Sequence, residues 1–145
     1  MRIPVEVDVA SEFRYRNPIV DDKTLVIVIS QSGETADTLA ALREAKSYGA
    51  YILSIVNVVG SAIANESDDV VYTWAGPEIA VATTKAYSTQ LAVVYLPTIY
   101  FGDILGTISE TEYKKYLSEL RLIPDKIEQI LKNLSLIHIS EPTRP

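Results

Sequence analysis

An unbroken apolar run, Leu25-Val26-Ile27-Val28-Ile29, leads directly into Ser30-Gln31-Ser32-Gly33-Glu34-Thr35 and then into a helical pattern at Ala36, Leu39 and Ala40. A continuous β-branched run is the signature of a central parallel strand covered on both faces. A strand that feeds straight into a helix demands a βα crossover, so the segment commits the chain to an α/β architecture. The hydroxyl-rich turn falls where that strand gives way to the helix. First-turn amides of a helix have no internal partners, and the helix dipole adds a partial positive charge there. Two serines, a threonine and a glycine at that place suit a phosphate without a lysine or a metal. Ser and Thr are also common there as plain helix caps, so the motif alone fits both readings.

The remaining pattern repeats the alternation. Val5, Val7 and Val9 alternate with Glu6 and Asp8, which predicts a strand with one wet face at a sheet edge. Ser11 to Asp22 is a polar connection with room for a helical turn. Thr35 to Tyr48 is helical, with Gly49 as its left-handed C-terminal residue. Tyr51 to Val56 is the next buried strand, Asn57 to Gly60 a turn, Ser61 to Glu66 a short helix and Val70 to Thr73 a further strand. Glu78 to about Phe101 reads as a long helix with a kink or an end near Pro97. Tyr113, Tyr116, Leu117 and Leu120 keep an amphipathic spacing. Pro124 opens a last helix carrying Ile127, Ile130, Leu131 and Leu134. The sum is a doubly wound parallel sheet, on which ligands bind at the carboxyl ends of strands.

Composition removes several classes of function. The net charge of −6 argues against nucleic-acid binding. With no cysteine there is no disulfide, no zinc–thiolate site and no thiol nucleophile, and nothing points to secretion. The stretch from Leu91 to Phe101 is too short for a membrane span, which needs about 20 residues. Neither a dinucleotide fingerprint nor a P-loop is present, and the G-x-S-x-G elbow is missing. His138, the single histidine, offers no evident base to a serine nucleophile. Asp68-Asp69 and the Glu6/Asp8 pair read as solvated carboxylates, and Arg14 and Arg16 as exposed cations. No metal site and no cofactor is expected.

A second cluster, Gly76-Pro77-Glu78-Ile79-Ala80-Val81-Ala82-Thr83-Thr84-Lys85, follows the strand at Val70–Thr73. Its small residues allow close approach. Packing alone accounts for it, and paired with Ser30–Thr35 it can also close a sugar-phosphate site. From Leu134 to Pro145 the helical period is lost. That stretch reads as an adapter-derived tail rather than native protein, with a natural frayed terminus as the alternative.

Three motifs in order carry a family resemblance: Ala10-Ser11-Glu12-Phe13-Arg14-Tyr15-Arg16; Ser30 to Thr38; and Glu78 to Tyr87 with Thr89-Gln90-Leu91. Together they resemble the glutamine–fructose-6-phosphate aminotransferase (isomerising) family, and within it the first sugar isomerase (SIS) domain, over roughly residues 3 to 133. The resemblance implies a flavodoxin-like three-layer SIS domain that lacks its first strand and helix. Residues 1–108 then form a partial SIS domain, 109–133 a helical extension of it and 134–145 a non-native tail.

It further implies a substrate-binding set of Ser30, Gln31, Ser32 and Thr35 for the phosphate, with Val81 and Thr83 against the sugar. Fructose 6-phosphate and glucosamine 6-phosphate are the implied ligands, the parent enzyme a cytoplasmic homodimer. The resemblance puts no catalytic residue in this stretch. In the family's strand order the Val5–Val9 strand would border an empty slot, which implies a gapped or rearranged sheet with an exposed, association-prone edge. A non-catalytic sugar-phosphate sensor, a related isomerase or deglycase, and a purely structural helical layer are the rival readings.

Overall fold

The structure, a computed structural model, describes residues 3–79, 83 and 85–140, with side chains described as far as residue 133. The elements run α1 (Ala10–Phe13), β1 (Leu25–Ser30), α2 (Ala36–Ser47), β2 (Tyr51–Val56), α3 (Ala62–Glu66), β3 (Asp69–Tyr72), α4 (Lys85–Ile104), α5 (Glu110–Arg121) and α6 (Ile123–Ser140). The chain divides into two compact units, which meet in sequence between Leu96 and Pro97.

In the first unit three parallel strands stand in the order β1-β2-β3. The register pairs Val28 with Ser54 and Ser30 with Val56, so one face carries Val26, Val28, Ile52 and Val56 toward α2 and α3. Leu42, Ile52, Val56 and Ile63 are fully buried there. Each such side chain contributes about 1.5–3 kcal/mol of transfer free energy. Gly49 ends α2 at φ +86°, the left-handed geometry a helix stop needs. At the amino end of the sheet Asp68 accepts from Ile52 N–H (2.7 Å) and pairs with Lys46 (3.2 Å), while Asp69 accepts from the Tyr51 hydroxyl (2.7 Å). The acidic pair therefore ties strands together.

Three expectations are corrected. Val5 to Val9 forms no strand. The segment has no regular secondary structure and is exposed, Asp8 accepts from the Val9 N–H (2.8 Å) and pairs with Arg16 (3.1 Å), and Val9 leads into α1. Alternation buries a face only where a neighbouring strand completes the ladder, and no described strand stands beside it. The gapped sheet accordingly closes to three contiguous strands.

β1 is likewise not covered on both faces. It lies at the edge, and Ile27 and Ile29 are 42% and 45% exposed. The long helix also begins at Lys85 rather than Glu78. The described residues before it are not helical. Ile79 and Thr83, both outside the helix, are β-branched, which disfavours helix at those positions. Pro97 lies inside α4, which continues to Ile104.

In the second unit Gly106, at φ +62°, closes α4, and Ile108 packs against Gly102. Ser109 opens α5 with a reciprocal capping box: its hydroxyl accepts from Glu112 N–H (3.2 Å) and its own N–H donates to the Glu112 carboxylate (2.8 Å). α5 packs with α6. The α6 helix runs on to Ser140, beyond Leu134, where the apolar period fades.

Candidate functional site

Ser30 is the last residue of β1, and Gln31 to Thr35 fold into a tight turn before α2. Ser30 is 7% exposed. Its Oγ accepts from Gly33 N–H (3.1 Å) and lies 3.3 Å from Thr35 Oγ1. Ser32 Oγ accepts from Glu34 N–H (3.2 Å). Each hydroxyl has one hydrogen and two lone pairs, so accepting leaves the hydrogen to donate. Of the Ser30–Thr35 pair one hydroxyl donates to the other, which leaves the second hydrogen for a ligand.

Thr35 occupies the N-cap position of α2 in extended geometry, yet its side chain caps nothing. The plain-cap reading therefore does not describe the turn. The amides at the start of this 12-residue helix remain without a side-chain acceptor, at the carboxyl end of a parallel strand. Asp37 is the acidic residue of that first turn, so an anion there depends on these donors rather than on net charge.

The neighbouring loop after β2 holds the turn from behind. Asn57 N–H donates to the Gln31 carbonyl (3.1 Å) and Ile63 N–H to the Gly33 carbonyl (2.9 Å). Ala62 N–H donates to Glu34 Oε1 (2.7 Å), so this carboxylate faces the start of α3. Ser61 is 2% exposed and lies against Gly33. Glu34, Asn57 and Ser61 support the turn although no motif in the sequence singles them out as site residues. An asparagine straight after a buried strand is the available signal, and it fits an ordinary turn equally well.

The structure thus brings Ser30, Gln31, Ser32 and Thr35 into one turn. Thr83 is exposed and lies outside any helix, and Val81 lies outside the described residues. Lys85 opens α4, and its ammonium donates to the Pro77 carbonyl (2.6 Å). Arg16 is committed to Asp8, and the Arg14 guanidinium stacks over Tyr15, 5.5 Å from its ring centre. Among the described residues no group of three metal-ligating side chains stands together, and no helix is long and apolar enough to cross a membrane.

The glutamine–fructose-6-phosphate aminotransferase (isomerising) of Clostridium tetani is 62% identical over 131 residues, 90% of this chain and 22% of that protein. The enzyme of the same name from Methanosarcina mazei is 50% identical over 135 residues, 93% of this chain and again 22% of the relative. The chain thus spans about a fifth of the length of the curated relatives it matches. Among solved structures, the C-terminal domain of glucosamine-fructose-6-phosphate aminotransferase from Francisella tularensis superposes with a TM-score of 0.86 at 40% identity, covering 90% of this chain and 37% of that one. A putative phosphosugar isomerase from Clostridium difficile 630 gives 0.71 at 26% identity, covering 77% and 32%. Residues 1–99 match the SIS domain, and on that match, on these relatives and on the parallel sheet with its hydroxyl-lined turn, the chain belongs to the SIS domain family.

Proposed function

We propose that this chain is the phosphate-holding part of an enzyme that makes glucosamine 6-phosphate from fructose 6-phosphate and glutamine. The observation that carries the reading is the uncapped start of α2, with Thr35 turned to Ser30 instead of to the helix. Hydroxyls of Ser30, Ser32 and Thr35, the Gln31 side chain and the first amides of α2 take the phosphate oxygens. The sugar contact is assigned to Val81 and Thr83 by the family resemblance of the segment Glu78–Tyr87. The 62% identity to an aminotransferase of that name supports the choice of substrate.

The turn contributes by positioning. A phosphate held at one end fixes the sugar while bonds change at the other, and such fixing offsets the entropy of bringing reactants together. The groups that perform the chemistry belong to the rest of the longer enzyme, which works in the cytoplasm as a homodimer. No catalytic residue is assigned within these 145 residues.

Calorimetric titration of the chain with fructose 6-phosphate tests the reading. Each charge-assisted hydrogen bond to phosphate is worth ~1.5–3 kcal/mol, so Ser32→Ala is expected to weaken binding by about one to two decades. Unchanged affinity removes Ser32 from the site, and no binding by the unaltered chain removes the proposal.

A further inference from the structure

Asn57 follows the last residue of β2, and its bonds reach two loops. Its backbone N–H holds the Gln31 carbonyl (3.1 Å). Its side chain faces the segment after β3: Oδ1 accepts from the Thr73 hydroxyl (3.0 Å) and from Ala75 N–H (2.8 Å), and Nδ2 donates to the Gly76 carbonyl (2.8 Å). One residue therefore joins the phosphate turn to the segment that runs on toward Thr83.

The backbone between these anchors is unusual. Trp74 has φ +52°, left-handed geometry that bulky side chains avoid, and it is 76% exposed. Such a conformation persists only where its surroundings over-determine it. Both neighbours of Trp74 bond the same carboxamide oxygen, and the Tyr72 ring lies 5.8 Å away. Beyond Gly76, which also has positive φ, the Pro77 carbonyl accepts from the Lys85 ammonium. The segment is thus tied at both ends.

We propose that Asn57 is a positioning residue: its carboxamide fixes residues 73–76 while its backbone N–H holds the Ser30–Thr35 turn, which sets the segment leading to Thr83 in register with the phosphate turn. The link to the sugar phosphate rests on the function proposed above; the fixing of the loop does not. Asn57 touches no reacting atom in this account. It acts through Gln31 on one side and through Thr73, Ala75 and Gly76 on the other.

Trp74 is the single tryptophan of the chain, so its fluorescence reports on this loop alone. The experiment combines time-resolved Trp74 anisotropy with fructose 6-phosphate titration on the 145-residue chain and its variants. Asn57→Ala removes all three side-chain bonds and keeps the backbone one. It is expected to add a fast local component to the anisotropy decay with an unchanged far-UV spectrum, and to weaken fructose 6-phosphate by about tenfold. Asn57→Asp keeps the accepting oxygen for Thr73 and Ala75, so most of the restraint on Trp74 should return.

Unchanged anisotropy in Asn57→Ala overturns the proposal, and so does a loosened Trp74 with undiminished ligand affinity. If Asn57→Ala does not fold, Thr73→Val, which removes one bond from the opposite side, decides by the same anisotropy criterion. If the unaltered chain binds no fructose 6-phosphate, the functional reading fails alone, and Trp74 anisotropy decides the role of Asn57 by itself.

Discussion

Gly33 lies so close to Ser61 that a methyl group at position 33 would stand 2.0 Å from Ser61 Oγ and 2.5 Å from its Cβ. Gly33 also has φ +68°. Two independent causes therefore require glycine here: the left-handed backbone, and a buried neighbour without room to move. Gly33→Ala is expected to destabilise the chain by about 2–4 kcal/mol, the sum of backbone strain and overpacking. Adding Ser61→Gly removes the clash and leaves the strain, so about half the loss should return. Urea unfolding of the single and double variants measures both. A Gly33→Ala chain as stable as the original would mean that the turn has another geometry.

Thr35 separates capping from ligand binding. A capping threonine replaced by alanine typically costs ~1 kcal/mol of stability. Thr35 caps nothing and meets Ser30 Oγ instead. Thr35→Ala should therefore lower stability by less than about 0.5 kcal/mol while weakening fructose 6-phosphate by roughly one decade or more. Unfolding curves and calorimetry on the same protein decide it. A full capping loss with unchanged affinity would restore the plain-cap reading.

Acid should loosen the amino end of the sheet. The backbone N–H of Ile52, helped by Lys46, holds the Asp68 carboxyl below its ordinary value of 3.8. The forked hydrogen bond from Arg43 (2.6 and 2.8 Å) holds Glu66 below 4.5. For both groups the folded state binds its proton less readily than the unfolded state. Their stabilisation is complete above the ordinary values and is lost as pH falls below about 4.5 through the depressed ones. Exposure to solvent keeps each contribution small. Asp68→Asn, which keeps an acceptor for Ile52 without the charge, should flatten the slope of the urea midpoint between pH 5 and pH 3, taken as a window about these values. An equally steep slope would assign the acid sensitivity elsewhere.

What the sequence made legible was local. The runs at 25–29 and 51–56 are rich in Val and Ile, and Gly49 and Ser61 mark helix ends, so the sequence places these elements within a residue or two. The turn between Ser30 and Thr35 was read for the same reason. What escaped was set by partners distant in sequence. Asn57 owes its role to partners far along the chain, from Gln31 on one side to Gly76 on the other, and nothing near it distinguishes it from a turn asparagine. Val5, Val7 and Val9 have the right period, but period alone supplies no neighbouring strand. The start of α4, at Lys85 rather than Glu78, is likewise not legible from local pattern.

The last expectation concerns β1. Among the described residues its strand partner lies on one side only, and on one face Leu25, Ile27 and Ile29 remain well exposed. An edge strand with unpaired amides and carbonyls is a template for another chain, and natural proteins blunt such edges with charge, proline or a cover. The outward positions of β1 carry none of these. The 145-residue chain should therefore associate as its concentration rises. Replacing Ile27 and Ile29 with lysine puts two charges on the open face, where repulsion opposes stacking and pairing, while Val28 and Ser30 keep the buried side intact. Sedimentation velocity over a hundredfold range of concentration, taken as about two decades of mass action, should show self-association of the unaltered chain. The double variant should show a single species. A concentration-independent monomer in both would mean that the exposed face is covered in solution by a part of the chain itself.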